Sequence, residues 1–307
     1  MGAVPRLSLL ALVGTVVGLL CSVPSAGAAG ARGVDAAVYA GVGSWVDIFA
    51  TAARRDPDAV VRSLSARGVH TLYLETSNTS QAQPIVHPSV VGRFLDDAHA
   101  AGIDVVAWYL PGFTSPARDL GRALAAIRYR SPGGQRFDSF ALDIESSTVR
   151  SVALRNERLL SLSRELRRAA GPSYPLGAII PSPVGMWLHP KYWPGFPYQQ
   201  LGAIYDAFVP MAYFSYHTKT ETGAYSYTRN VIDAIRVESG RQNVPIQLIG
   251  GIADAISRTA LDGFARAAAD CGVDGISLYA YLQTSASEWQ RLAAVPLGVR
   301  RPAATQC

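Results

Sequence analysis

The sequence predicts an α/β protein: a single (β/α)8 TIM barrel with an N-terminal signal peptide. Three observations predict it. Strand-like and helix-like segments alternate eight times along the chain. Several helix exits share one grammar, a helix followed by Gly and then an apolar, β-branched run: Arg67-Gly68-Val69, Ala101-Gly102-Ile103 and Cys271-Gly272-Val273. Gly ends a helix in a left-handed conformation, and the run after it enters a buried parallel strand. Finally, the roughly 270 residues left after the leader suit one large barrel better than two small domains. A doubly wound open sheet is the structural alternative. It is disfavoured because Gly41-Val42-Gly43-Ser44 lacks the spacing of a dinucleotide-binding phosphate loop.

Residues 1–28 read as a secretory signal. Arg6 supplies the positive start, residues 7–20 the apolar stretch, and Ala26-Gly27-Ala28 a small-residue cleavage site. An uncleaved anchor is the alternative, but Gly14, Gly18 and Pro24 interrupt a run already short for a membrane span. Cys21 follows no convincing lipoprotein-type sequence. The expected location is therefore secreted, with no membrane contact after cleavage. A short linker covers 29–36, the barrel 37–297 and a tail 298–307.

Strand one is expected at 38–42. A helix over 57–67 follows, capped by Asp56 with Pro57 at its first position. Strand two covers 69–76, and the helix over 88–101 stops at Gly102. Strand three covers 103–110, followed by a helix over 116–129. Strand four covers 137–145, followed by a long Arg-rich helix over 149–170. Strand five is 176–180 and strand six 207–213, with a helix over 226–238. Strand seven is 245–250 with a helix over 258–271, and strand eight is 273–281 with a last helix over 285–294.

Lys and Arg number 28 against 23 Asp and Glu. The arginines are scattered over expected helix faces, which speaks for solvated surfaces and against nucleic acid. The five histidines are dispersed, so no metal site is expected, and no cofactor. Once Cys21 leaves with the signal, Cys271 and Cys307 form an even pair in an oxidising compartment, consistent with a disulfide holding the tail. A monomer is expected.

A barrel places functional side chains at the C-terminal ends of its strands. Here those ends carry Glu75, Trp108 and Tyr109, Asp143 and Glu145, Met211 and Tyr213, and Tyr279 and Tyr281. On strand four, Ser139, Ala141, Asp143 and Glu145 share one face while Phe140, Leu142 and Ile144 share the other. The set is acidic and aromatic. Glycoside hydrolysis requires a carboxylic acid to protonate the leaving oxygen and a second group to meet the anomeric carbon, while aromatic faces hold sugar rings. The loop after strand five adds Trp187, Tyr192, Trp193, Phe196 and Tyr198, which either wall a saccharide cleft or pack onto the rim. Asp143 and Glu145 admit a second reading as a structural ion pair with an arginine such as Arg150. Asn78-Thr79-Ser80 spells a glycosylation sequon.

Asp138-Ser139-Phe140-Ala141-Leu142-Asp143-Ile144-Glu145 resembles the strand-four signature of glycoside hydrolase family 18, the chitinase-like barrels, which runs Asp-Gly-x-Asp-x-Asp-x-Glu. Asp138, Asp143 and Glu145 match its first Asp, last Asp and Glu. Met211-Ala212-Tyr213 resembles the family's Met-x-Tyr on strand six, and Tyr279 or Tyr281 falls where the family usually has a Trp. Ser139, Ala141 and Phe214 depart from the pattern, so the motif is degenerate. Family 25 barrels also carry Asp-x-Glu on strand four, but usually begin strand one with an Asp, absent from Val38-Tyr39-Ala40-Gly41. The family 18 resemblance implies Glu145 as general acid/base. It implies Asp143 as the group that raises the proton affinity of Glu145 and orients a substrate acetamido group, with Tyr213 hydrogen-bonded to that group. A substrate without an acetamido group needs another nucleophile or base, for which Glu75 and Asp254 are candidates. The expected partner is an oligo- or polysaccharide, and the alternative function is a non-catalytic carbohydrate-binding barrel.

Overall fold

In a computed structural model, which describes residues 1–2 and 36–298, the strands pair in chain order and close on themselves. They are β1 (Gly41–Val46), β2 (Thr71–Asn78), β3 (Asp104–Leu110), β4 (Ser139–Asp143), β5 (Leu176–Pro181), β6 (Ala207–Met211), β7 (Gln247–Ile252) and β8 (Gly275–Tyr279). All are parallel, and β1 meets β8 through Gly41–Gly275, Val42–Ile276 and Gly43–Ser277. The fold is a (β/α)8 barrel. All of it lies within the unit Gly33–Cys307. The expected signal peptide and the tail from 299 onward fall outside the described residues.

Alternation of side chains along each strand makes two packing zones. Val42, Val46, Leu72, Leu74, Phe140, Leu142 and Ile144 face outward into the layer beneath the helices. Trp45, Tyr73, Val106, Trp108, Ala141, Ile179 and Val209 face inward and fill the barrel. Both sides of every strand are buried, so no strand reads as a clean polar–apolar alternation.

The helices begin and end where local chemistry allows. α1 (Thr51–Arg55) is short; α2 (Pro57–Ser65) starts with Asp56 accepting from the Ala59 amide at 3.2 Å. α3 (Pro88–Ala100), α4 (Pro116–Arg128) and α5 (Val152–Ala170) follow β2, β3 and β4. The fifth connection carries only α6 (Pro183–Leu188) and α7 (Tyr198–Gly202). α8 (Glu221–Glu238) starts five residues before the expected 226, because the Thr220 hydroxyl caps it by accepting from the Gly223 amide. α9 (Arg258–Cys271) and α10 (Ala286–Ala293) complete the ring. Gly68, Gly102 and Gly272 all have positive φ, the left-handed exit that their sequence context predicts. Cys271 is disulfide-bonded; the expected partner, Cys307, lies outside the described residues.

The first strand corrects its expected position. Ala37–Tyr39 is a 3-10 helix, and β1 begins at Gly41, three residues after the expected start. Tyr39 points its ring into the bottom of the barrel, where its hydroxyl meets Ser139 Oγ at 2.5 Å. The room for the interior rings comes from missing side chains. A Cβ on Gly43 would lie 2.7 Å from the Tyr73 ring, and one on Gly177 would strike Tyr39.

Candidate functional site

The inward positions at the C-terminal end of the barrel bring together Glu75 from β2, Trp108 from β3, Asp143 from β4, Met211 from β6 and Tyr279 from β8. Glu145 and Tyr213 lie two residues beyond β4 and β6 and continue the same parity. The Ile144 amide donates to the Ile179 carbonyl at 2.8 Å, so strand-like pairing extends past Asp143 and holds Glu145 in line.

Asp143 is buried, and its Oδ1 has no hydrogen-bond partner. Its carboxyl is held well above the usual Asp range, first by burial and then by the charges of Glu145 and Glu75. Glu145 is half-buried and is raised by burial. Tyr213 shares the surroundings of this pair: burial, then the charges of Asp143 and Glu145, push its phenol up. Every cause acting on Asp143 points the same way. Among the described residues no ion pair involves Glu75, Asp143 or Glu145, and Arg150 is exposed. The ion-pair reading of the two acids therefore has no support in the geometry.

Glu75 is built in more firmly. Its Oε2 accepts from the Ile48 amide at 2.9 Å and its Oε1 from Asn78 Nδ2 at 3.1 Å. Burial nevertheless dominates and pushes the carboxyl up to about 7. Arg54 lies behind it, donating to the carbonyls of Glu75 and Val86. Asn78 is committed to this network, with its Oδ1 accepting from the Ser80 amide and hydroxyl, and it is only 8% exposed. The spelled sequon is thus an interior hydrogen-bonding residue.

The expected span of strand one, 38–42, stops short of Asp47, which the sequence therefore does not single out. Asp47 follows Val46 directly; its Oδ2 accepts from the Tyr279 hydroxyl at 2.8 Å and its Oδ1 from the Phe49 amide at 2.8 Å. The absence of an acid near strand one, read from Val38 to Gly41, is corrected by this residue. Trp45 was missed for the same reason: its ring stacks on Tyr73 with centroids 4.2 Å apart and meets Trp108 edge-on at 5.9 Å. Tyr192 belonged to the noted aromatic loop but not to the expected site. Its hydroxyl donates to the Glu145 carbonyl, and its phenol is pushed up to about 12 by burial and by Glu145.

Several expected site residues do not join this inward-facing set. Tyr109 faces outward, its hydroxyl donating to Asp119 Oδ1 at 2.6 Å. Adjacent strand residues point to opposite faces, so Trp108 and Tyr109 cannot both line the barrel. Trp193 is buried in the outer layer, with Nε1 donating to Asn156 at 2.7 Å and the Arg155 guanidinium 4.1 Å above its ring. Tyr281 reaches Ser63 on α2 at 3.1 Å. Asp254 is exposed in the 3-10 turn after β7. Trp187 sits on α6, 56% exposed. Asp138 is at the opposite end of β4, where its Oδ2 accepts from His99 Nε2 and the Val105 amide. Phe214, at the family's acidic position, packs on Phe264 in the outer layer.

No three metal-ligating side chains converge among the described residues, and no described helix is long and apolar enough to cross a membrane. No protein-family model and no curated protein matches the chain. Solved structures do match in fold. An endo-β-1,4-mannanase from Thermotoga petrophila superposes with a TM-score of 0.60 at 12% identity, covering 78% of this chain and 68% of its own. A chitinase from Chromobacterium violaceum gives 0.56 at 12% identity, covering 82% and 98%. The Bacillus cereus spore cortex-lytic enzyme SleL gives 0.57 at 9% identity, covering 82% and 73%. At such identities the likeness is one of fold, the closed eight-stranded parallel barrel.

Proposed function

We propose that the chain is a secreted glycoside hydrolase acting on a polysaccharide, with Glu145 as general acid/base. The observation that carries this is the Asp143–Glu145 pair, inward-facing at the C-terminal end of β4, with no ion pair to either acid among the described residues and with Tyr213 close enough to feel both charges. Burial keeps a proton on Glu145 to a higher pH than usual, which suits an acid that must protonate a departing glycosidic oxygen. When the pair of acids holds one proton, its negative charge would make that proton harder to lose before the transition state and would help stabilise positive charge at the anomeric carbon. With an acetamido sugar, Asp143 and Tyr213 would orient the internal nucleophile; with any other sugar, Glu75 is a further carboxyl on the inner face that could take that part.

The barrel-like fold shared with a mannanase and chitinases supports the reaction class without selecting the sugar. Cleavage of an oligosaccharide panel, followed as new reducing ends, tests it. Turnover should be present in the wild type and lost in Glu145→Gln with the fold intact. A second reading, a binding barrel without catalysis, is favoured by Ala141 at the motif's middle acid. Saccharide binding in a calorimeter with no new reducing ends would establish that reading instead.

A further inference from the structure

We propose that the acidic mouth selects a sugar bearing a free, protonated amine: a hexosamine-containing oligosaccharide, not a neutral or uronate chain. The inference rests on the glycosidase reading for the location of the site and goes beyond it in naming the charge of the ligand.

The chain as a whole is basic, with a net charge of +5, yet its mouth collects Asp47, Glu75, Asp143 and Glu145. Asp47 is answered by the Tyr279 hydroxyl and the Phe49 amide, and Glu75 by Ile48, Asn78 and the charge of Arg54. Asp143 has no such answer. It is 6% exposed, its Oδ1 is unpaired, and its charged neighbours, Glu145 and Glu75, are both acids. A buried acceptor without a donor is costly, and a cation or strong donor brought by a ligand removes the cost.

A second, independent group points to the same ligand. Trp108 stands on the next strand, paired with Ala141 on one side and Glu75 on the other; it is 5% exposed and its indole N–H has no acceptor. The inner face thus holds an unpaired acid oxygen on β4 and, one inward position lower on the adjacent β3, an unpaired donor. An amino sugar carries the complement, an ammonium beside a hydroxyl oxygen, on neighbouring ring carbons. A neutral hexose could offer hydroxyls to both groups but no positive charge to draw the proton off Asp143 or Glu145. A uronate would bring a fifth acid to a mouth that already holds four and has to keep protons on some of them. Binding an ammonium ion would also favour ionised carboxyls, so a proton held by Asp143 or Glu145 passes to the buffer as the complex forms.

The test is calorimetry on the wild-type chain with oligomers of glucosamine, galactosamine, N-acetylglucosamine, mannose and galacturonate. It is run at low salt, at a pH where the sugar amine is protonated, in buffers of different ionisation enthalpy. A free-amine oligomer should bind at least about tenfold tighter than the N-acetylated and neutral ones, which is about 1.4 kcal/mol. Binding should release protons, weaken in high salt, and lose its amine preference in Asp143→Asn, with Asp47→Asn as a second variant should the first fail to fold. Equal or tighter binding of a neutral, acetylated or uronate oligomer overturns the inference. If such an oligomer is also cleaved, the glycosidase reading stands without it. Amine-selective binding with no cleavage leaves the inference standing and removes the enzyme. Failure of every saccharide to bind overturns both.

Discussion

The hydroxyl of Tyr279, at the end of β8, donates to Oδ2 of Asp47, just past β1, at 2.8 Å. This bond spans the seam where the first and last strands close the barrel, and it joins two residues that are 232 positions apart in sequence. Asp47 also fixes the turn that follows, through the Phe49 amide. Removing the phenol in Tyr279→Phe leaves one oxygen of Asp47 unanswered in a half-buried place. We expect a loss of about 1–3 kcal/mol in denaturant unfolding, with little further loss when Asp47→Asn is added. Additive losses in the double variant would show that the two residues act separately.

Glu75 makes stability depend on pH. Its carboxyl is pushed from the ordinary 4.5 up to about 7, so between these values the folded chain binds more protons than the unfolded one. Stability contributed by this group is therefore greatest at low pH and declines as pH rises towards 7. The neighbours that share its surroundings are Asp47, Arg54 and Asp143. Relative to Glu75→Gln, the wild type should lose about 2–3 kcal/mol across that window. Parallel stability–pH curves for the two proteins would refute the assignment.

Tyr109 and Trp108 separate packing from function. Tyr109→Phe removes the donor to buried Asp119, and should cost about 1–3 kcal/mol of stability while leaving saccharide turnover unchanged. Trp108→Phe deletes the unpaired indole N–H of the inner face, and should lower turnover or binding more than it lowers the melting temperature. The reverse pattern in paired activity and melting assays would place the cleft on the wrong face.

Gly43 tests how the barrel is filled. A methyl group there meets the Tyr73 ring at 2.7 Å and Gln247 Nε2 at 2.9 Å, neither of which has open space to retreat into. Gly43→Ala should destabilise by about 1–3 kcal/mol, and Tyr73→Leu in the same chain should recover part of it. No loss in thermal unfolding would mean that the inner rings are looser than the contacts imply.

These residues also show which parts of the protein the sequence made legible. Helix exits at Gly68, Gly102 and Gly272 could be read because a left-handed turn leaves a local mark. Strand four could be read because its bulky and small side chains alternate. β1 could not: Gly41-Val42-Gly43-Ser44 carries no strand-like pattern, since its small residues exist to admit rings contributed from elsewhere. Mistaking the 3-10 helix at Ala37–Tyr39 for a strand hid Asp47 and Trp45. Trp108 and Tyr109 were separable by parity alone, once the inward face of β2 was fixed by Glu75. Trp193 was not, because a loop has no period that tells packing from lining.

General-acid catalysis by Glu145 is read from the ratio of kcat/KM for wild type and Glu145→Gln on the saccharide that the panel identifies. Loss of a general acid predicts a fall of about 10²–10⁴-fold at unchanged melting temperature. Turnover of the variant equal to that of the wild type would contradict the assignment of Glu145 as the general acid.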